Sequence, residues 1–326
     1  MRSWPLTGRP GSKRNDVTAG DSSEGACNPP RARVVESELS WATQVLGQAG
    51  IDSARGDAEW LLAAVLGIDR GRLLVADGLD DDTRARFRAL VARRTMRIPL
   101  QHIVGTAAFG PAELAVGPGV FIPRPETELL AEWAVGIGAR AGGTATIVDL
   151  CSGSGALAIA IATMLPTARL WAVERSPAAL EWLRRNVASA PPGVADRITV
   201  VAADVTDVEQ MRIGLPWGSV DVVVANPPYV PQAATVSPEV AHDPADAVFG
   251  GADGMSVITP MLPIIAELLM PGGAMGVEHD DTTSAAVLAA VESVGVFDDV
   301  RARDDLAGRP RFVTARRAVS GPLRPS

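Results

Sequence analysis

Lysine is almost missing from this chain: Lys13 is the only one in 326 residues. Chemistry that needs an ammonium side chain, such as a Schiff base or a phosphate-cradling P-loop, is therefore excluded from everything downstream. Cys27 and Cys151 are the only cysteines, far apart and in different contexts. That argues against a disulfide framework and against cysteine-ligated zinc, and makes a reducing, cytoplasmic setting the expectation. His102, His242 and His279 are the only histidines and show no metal-ligand spacing, so no metal is expected. No uninterrupted apolar run reaches the ~18 residues of a spanning helix. Even Ile258 to Val277 is broken by Pro260, Pro263, Glu267 and Pro271. A soluble protein without membrane association is expected, and residues 1–33 hold no apolar core of signal-peptide length.

What the chain does have is 47% apolar residues, enough for a full α/β domain and a smaller one. Its net charge of −8 is uneven: residues 1–33 carry +3 and the remainder −11. A body of that sign lacks the clustered cations that neutralise phosphates, so stable nucleic-acid binding is not expected. Residues 1–33, rich in Gly, Pro, Ser and Arg, read as a disordered tail, and 318–326 as another. Over 34–96 the apolar period turns helical and predicts three short amphipathic helices, a small bundle suited to packing or partner recognition. Residues 97–124 read as a β-hairpin linker, with Pro99 to Gly105 in its first arm and Gly110-Pro111 at the turn. From 125 to 317, strand and helix alternate: Pro125 opens a helix, and strands are predicted at 146–150, 169–173, 198–202, 220–225, 274–278, 296–303 and 311–316. Alternation with short loops means a mostly parallel, doubly wound sheet with helices on both faces, which binds ligands at the carboxyl ends of its strands.

Two stretches mark such ends. Asp221 to Ala225 is an apolar strand that runs into Asn226-Pro227-Pro228-Tyr229. Neither proline has an N–H, so the turn offers acceptors: the Asn226 side-chain oxygen and the Pro227 carbonyl, side by side. Two adjacent acceptors suit an NH2 group, and Tyr229, the single tyrosine, can stack on the planar group that carries it. Upstream, Gly153-Ser154-Gly155-Ala156-Leu157-Ala158 follows the G-x-G-x-x-A pattern, with Glu174 about 20 residues on, where a ribose-binding acid belongs. This pattern fits either a nicotinamide cofactor or S-adenosylmethionine. Asp149, just ahead of the loop, favours the latter, since a carboxylate repels a pyrophosphate and attracts ammonium and sulfonium centres. Asp204 can accept from an adenine amine. Arg124, between two prolines, has either a functional or an interdomain role.

Asp149-x-x-x-Gly153-x-Gly155, Glu174, Asp204 and Asn226-Pro227-Pro228-Tyr229 resemble class I S-adenosylmethionine-dependent methyltransferases that act on amide or amine nitrogen. With Arg124-Pro125-Glu126-Thr127-Glu128, Phe249-Gly250-Gly251-Ala252-Asp253-Gly254 and the helical amino-terminal segment, residues 35 to 317 resemble the HemK/PrmC family of release-factor glutamine methyltransferases. The resemblance implies a Rossmann-like seven-stranded sheet with an antiparallel last hairpin. It also implies methyl transfer from S-adenosylmethionine to the glutamine of the Gly-Gly-Gln motif in class I peptide chain release factors. Carried over by position, Cys151, Ser152, Gly153, Ser154 and Gly155 take the methionine part of the cofactor, Glu174 the ribose, and Asp204 and Val205 the adenine. Asn226, Pro227, Pro228 and Tyr229 take the glutamine amide, with Asn226 also contacting the cofactor and Arg124 on the substrate side. A monomer is expected, with the helical domain gripping the release factor. Two departures stand out: Cys151 where the family commonly has glycine, and Val205 where an aromatic often follows the acid. The competing readings are a DNA or RNA adenine methyltransferase using the same turn, a nicotinamide-dependent oxidoreductase, and a noncatalytic binding module.

Overall fold

The computed structural model describes residues 31–76, 78–141 and 144–319. The amino-terminal part packs α1 (Arg31–Gln48), α2 (Ala54–Leu66) and α3 (Asp81–Thr95) around Leu39, Leu46, Leu61, Leu62, Phe87 and Val91. The helix ends follow local chemistry. Gly67 closes α2 at φ +65°, a left-handed conformation that costs glycine nothing. Asp80 caps α3 by accepting from the Thr83 N–H at 2.7 Å. Helix α1 begins at Arg31, inside the stretch read as a tail, and residues 1–30 and 320–326 lie outside the described residues.

The linker departs from expectation. Pro99 to Val104 is not the first arm of a hairpin: Leu100–Val104 forms a short helix, α4, closed by Gly105 at φ +88°. Pro99 fits a helix entry, where its missing N–H costs nothing, and the apolar alternation over these few residues could not distinguish one helical turn from a strand. The hairpin itself is β1 (Thr106–Phe109) and β2 (Ala112–Ala115).

The large domain contains α5 (Glu128–Gly138), β3 (Thr146–Leu150), α6 (Ala156–Met164), β4 (Arg169–Glu174), α7 (Pro177–Ser189), β5 (Ile198–Ala202), α8 (Val208–Met211) and β6 (Val220–Ala225). It continues with α9 (Ala245–Val248), α10 (Ile258–Leu268), β7 (Leu269–Glu278), α11 (Ser284–Ser293), β8 (Phe297–Asp304) and β9 (Pro310–Arg317). The sheet order is β5-β4-β3-β6-β7-β9-β8, with β9 antiparallel to both its neighbours and the remaining pairings parallel. The central strands are buried on both faces and so read as continuous apolar runs. One core lies between the sheet and α5, α6 and α7, the other between the sheet and α10 and α11. Chain order reverses between β3 and β6: β3 leads to β4 on one side, while β6 lies on the other. The cleft beyond their carboxyl ends is the place such sheets hold ligands.

Candidate active site

The cleft at that switch point encloses about 1320 Å³ of non-protein space, its open mouth included. That is room for a nucleoside with a side chain beside it. The glycine loop, the tips of β4 and β5, the turn after β6 and the segment from Phe121 to Thr127 form its walls.

The loop after β3 turns sharply. Cys151 sits at φ +60° and Gly153 at +54°, so a side chain stands where the left-handed region favours glycine. The Ser152 N–H donates to the Val173 carbonyl, and the Ser152 hydroxyl to the Asp149 carbonyl, both at 2.9 Å. A Cβ on Gly153 would meet nothing within 4 Å. Gly155 faces away from the cleft, at the start of α6, where a Cβ would meet Leu183 at 2.7 Å. Gly155 thus serves packing, and the contact surface runs from Cys151 to Ser154.

Asp149 departs from its expected place on the cleft wall. It is 0% exposed beneath the loop, and its Oδ2 accepts from the Ala158 N–H at 3.2 Å, in the first turn of α6. Its Oδ1 has no hydrogen-bond partner among the described residues. Burial pushes its carboxyl up to about 7, partly offset by the nearby Ser152 hydroxyl and by the Ala158 N–H, with Glu174 adding to the rise. Such a group attracts a cation through space, since its own surroundings supply none.

Glu174 lines the cleft, yet its carboxylate is already engaged. Oε1 accepts from the N–H groups of Arg175 and Ser176 at 2.8 Å, and Oε2 from the Gly153 N–H at 2.9 Å. Its remaining lone pairs can still take hydroxyls. Asp204 accepts from the Thr206 N–H and hydroxyl on Oδ1 and from Arg175 at 3.1 Å on Oδ2. An adenine amine there would share those acceptors. Val205 is buried on the cleft wall and offers an apolar face.

The turn after β6 presents the expected acceptors. None of the described residues donates to the Pro227 carbonyl or to Asn226 Oδ1, while Asn226 Nδ2 donates to the Thr127 hydroxyl at 3.2 Å. Tyr229 donates its hydroxyl to Glu278 Oε1 at 2.9 Å, and burial beside that acid raises its pKa well above the usual phenol value. The glycine-rich segment after α9 backs the turn: Val230 pairs with Phe249, and a Cβ on Gly250 would stand 2.5 Å from the Pro228 carbonyl.

Arg124 lines the cleft, with part of its guanidinium already engaged. Its guanidinium pairs with Asp243 and lies 4.8 Å from the centre of the Phe121 ring. Asp243 also accepts from the Ile122 N–H, so the segment after the acceptor turn is stitched to the linker. Glu239, in the same segment, bridges back to Arg94 at 3.0 Å and Arg97 at 2.8 Å on the helical part. Sequence reasoning missed Thr127, Glu278, Asp243 and Glu239. Thr127 and Glu278 carried a faint signal, one inside the Arg-Pro-Glu-Thr-Glu segment and the other an acid ending an apolar strand. The Asp243 and Glu239 partnerships bridge over 100 residues and left none.

This sheet order, with a glycine loop after the first strand, an acid at the tip of the second and an Asn-Pro-Pro-Tyr turn after the fourth, defines a class I S-adenosylmethionine-dependent methyltransferase. The residues present fit that cofactor: an open glycine loop, a lone buried carboxylate beneath it and an apolar wall at Val205. The family model of the PrmC N-terminal domain matches residues 38–105, and that of the methyltransferase small domain residues 133–245. A release factor glutamine methyltransferase of Mycolicibacterium smegmatis is 56% identical over 286 residues, covering 87% of this chain and 98% of that protein. One from Corynebacterium glutamicum is 49% identical over 276 residues, covering 85% and 96%. One from Mycobacterium tuberculosis strain H37Rv is 48% identical over 292 residues, covering 87% and 92%. The chain belongs to the release factor glutamine methyltransferase family.

Proposed function

We propose that this protein methylates the side-chain amide nitrogen of the glutamine in the Gly-Gly-Gln motif of class I peptide chain release factors, in the cytoplasm and as a monomer. The observation that carries the reading is the pair of free acceptors, Asn226 Oδ1 and the Pro227 carbonyl, on a turn whose prolines supply no competing donor. A carboxamide NH2 has two N–H bonds to give, one to each oxygen.

S-adenosylmethionine, when bound, supplies an electrophilic methyl group on a sulfonium; Cys151 to Ser154, Glu174, Asp204 and Val205 would hold it, with Asp149 adding charge from below. The protein's own part is positioning and electrostatics. An amide nitrogen is a poor nucleophile because its lone pair is delocalised into the carbonyl. Holding both N–H bonds on fixed oxygens orients the nitrogen and stabilises the positive charge that develops on it. Asn226 and Pro227 need no reorganisation to do so, since β6 and the Gly250 segment fix the turn. Tyr229, with its hydroxyl anchored on Glu278, keeps its ring at the cleft wall as a stacking surface for the planar amide. A protonated N-alkyl amide is a strong acid, so no side chain is required as base.

The helical part and the segment fastened to it by Glu239 form the surface for the body of the release factor. The test is methyl transfer from labelled S-adenosylmethionine to a release factor, run beside a nucleic acid at matched concentration. Label confined to the glutamine supports the reading, and label on adenine instead would reassign the substrate class.

A further inference from the structure

An asparagine has an acceptor at one end of its amide and a donor at the other, and a half-turn about its last bond exchanges them. The reaction needs Oδ1, and not Nδ2, toward the substrate. The glutamine NH2 favours the oxygen only once it has arrived, so the direction held beforehand depends on the protein. Asn226 Nδ2 donates to the Thr127 hydroxyl at 3.2 Å. A hydroxyl, however, can donate as well as accept, so Thr127 must itself be directed.

Behind Thr127 stands Glu278, the last residue of β7. Thr127 is 3% exposed and Glu278 1%. Tyr229 donates to Glu278 Oε1 at 2.9 Å, whereas Oε2 has no formed hydrogen bond among the described residues. The Thr127 hydroxyl pulls the carboxyl's pKa down, as a hydroxyl that can turn its proton toward the carboxylate does. An ionised carboxylate can only accept, so it draws the hydroxyl proton of Thr127 toward itself and leaves a hydroxyl lone pair for Asn226 Nδ2–H.

We propose that Thr127 and Glu278 are positioning residues that fix the direction of the Asn226 amide, so that its oxygen, and not its NH2, meets the glutamine. The proposal rests on Asn226 being the acceptor for the substrate amide. Glu278 lies behind the cleft lining, and Thr127, at the cleft wall, acts through Asn226.

The same geometry implies a pH dependence. The groups facing Glu278 are Tyr229 after β6, Arg311 on β9 and Glu126 beside Thr127. Arg311 is shared with Asp305 at 3.0 Å. His279, next along the strand, is fully buried, its Nδ1 is 2.8 Å from the Asp280 carbonyl, and burial lowers its pKa, so it adds no charge near neutrality. Burial pushes the Glu278 carboxyl up to about 7, against the pull of Thr127, Tyr229 and Arg311 and with a small push from Glu126. Once protonated, Glu278 becomes a donor to Thr127. The Thr127 proton is then free to turn toward Asn226 Oδ1, and the amide loses its preferred direction.

The experiment compares the wild-type protein with Thr127→Val, Thr127→Ser, Glu278→Gln and Asn226→Ala. It measures kcat and KM for a release factor, affinity for S-adenosylhomocysteine, and the pH profile. Tyr229 is the single tyrosine, so ring-carbon labelling gives one NMR signal that reports Glu278 directly. Expected are a kcat roughly 10- to 100-fold lower in Thr127→Val, by analogy with loss of one preorganised group, recovery in Thr127→Ser, and cofactor-product affinity unchanged in both. The wild-type kcat and the Tyr229 signal should both titrate near pH 7, and both titrations should vanish in Glu278→Gln. Wild-type kcat in Thr127→Val, equal impairment in Thr127→Ser, or a Tyr229 titration that persists in Glu278→Gln would overturn the proposal. Asn226→Ala separates the two levels: if it is inactive while Thr127→Val is normal, the relay fails and the acceptor stands. If Asn226→Ala itself turns over normally, the underlying reading fails and the relay with it.

Discussion

Glu174 Oε2 accepts the N–H of Gly153 at 2.9 Å, which makes the acid at the tip of β4 and the loop after β3 a single unit. The acid expected to take ribose hydroxyls thus also sets the shape of the loop expected to take the methionine part. Replacing Glu174 with alanine removes both at once. With a charged hydrogen bond worth about 1.5–3 kcal/mol, affinity for S-adenosylhomocysteine should fall roughly 10- to 100-fold. Calorimetric titration checks it, and an affinity within about twofold of wild type would contradict it.

Asp149 gives the cofactor site a pH signature. Its folded-state pKa of about 7 lies above the ordinary carboxyl value of 3.8. The native protein therefore holds an extra proton between those values, and stability falls as pH rises from about 4 to 7 and stays low above. Glu278, also pushed to about 7, contributes with the same sign, so the comparison that isolates Asp149 is Asp149→Asn. Without ligand, that variant should melt at a higher temperature relative to wild type at pH 8 than at pH 5. A ligand bearing an ammonium group favours the ionised carboxylate. Binding of S-adenosylhomocysteine should therefore tighten from pH 6 to pH 8 and release protons, measurable by calorimetry in buffers of different ionisation enthalpy. In Asp149→Asn both effects should disappear.

Cys151 holds a side chain at φ +60°, where its Cβ crowds the backbone. A non-glycine residue in the left-handed region costs about 1–2 kcal/mol. Cys151→Gly should recover part of that, less the entropy glycine adds to the unfolded chain. A melting temperature higher by roughly 1–3 °C is expected for a domain of this size, with methyl transfer intact. Burial among Glu174, Asp149 and Asp204 raises the Cys151 thiol pKa well above its usual value. The wild-type thiol should accordingly react slowly with alkylating reagents at pH 7.5.

Most of the fold was legible in the sequence because its signals are local. The strands at 146–150, 198–202 and 220–225 are apolar runs bounded by glycines, prolines and acids, and each appears over those residues. Leu100 to Val104 was not legible as a helix, because five residues are too few to separate a helical period from an alternating one. At the site, the acceptor turn followed from covalent chemistry alone, since proline has no N–H. The burial of Asp149 and the pairing of Arg124 with Asp243 depend on side-chain directions and on partners up to 119 residues away, which no local pattern encodes.

Gly250 explains why a glycine-rich segment follows α9. A Cβ there would stand 2.5 Å from the Pro228 carbonyl and 2.7 Å from that of Gly254, both rigid backbone atoms. Gly250→Ala should displace the acceptor turn, costing about 1–3 kcal/mol of stability as an overpacked core site. Methyl transfer should fall much more than cofactor-product affinity, because the glycine loop lies on a different strand. Equal losses in both would place the segment's role elsewhere.

The central claim is that the turn after β6 delivers a glutamine amide to the methyl donor, and peptide mass spectrometry of a class I release factor after incubation with this protein and S-adenosylmethionine tests it most directly. The account predicts a single added methyl group on the glutamine of the Gly-Gly-Gln motif, lost when Asn226 is replaced by alanine while S-adenosylhomocysteine still binds. An unmodified glutamine, or full methylation by Asn226→Ala, would contradict it.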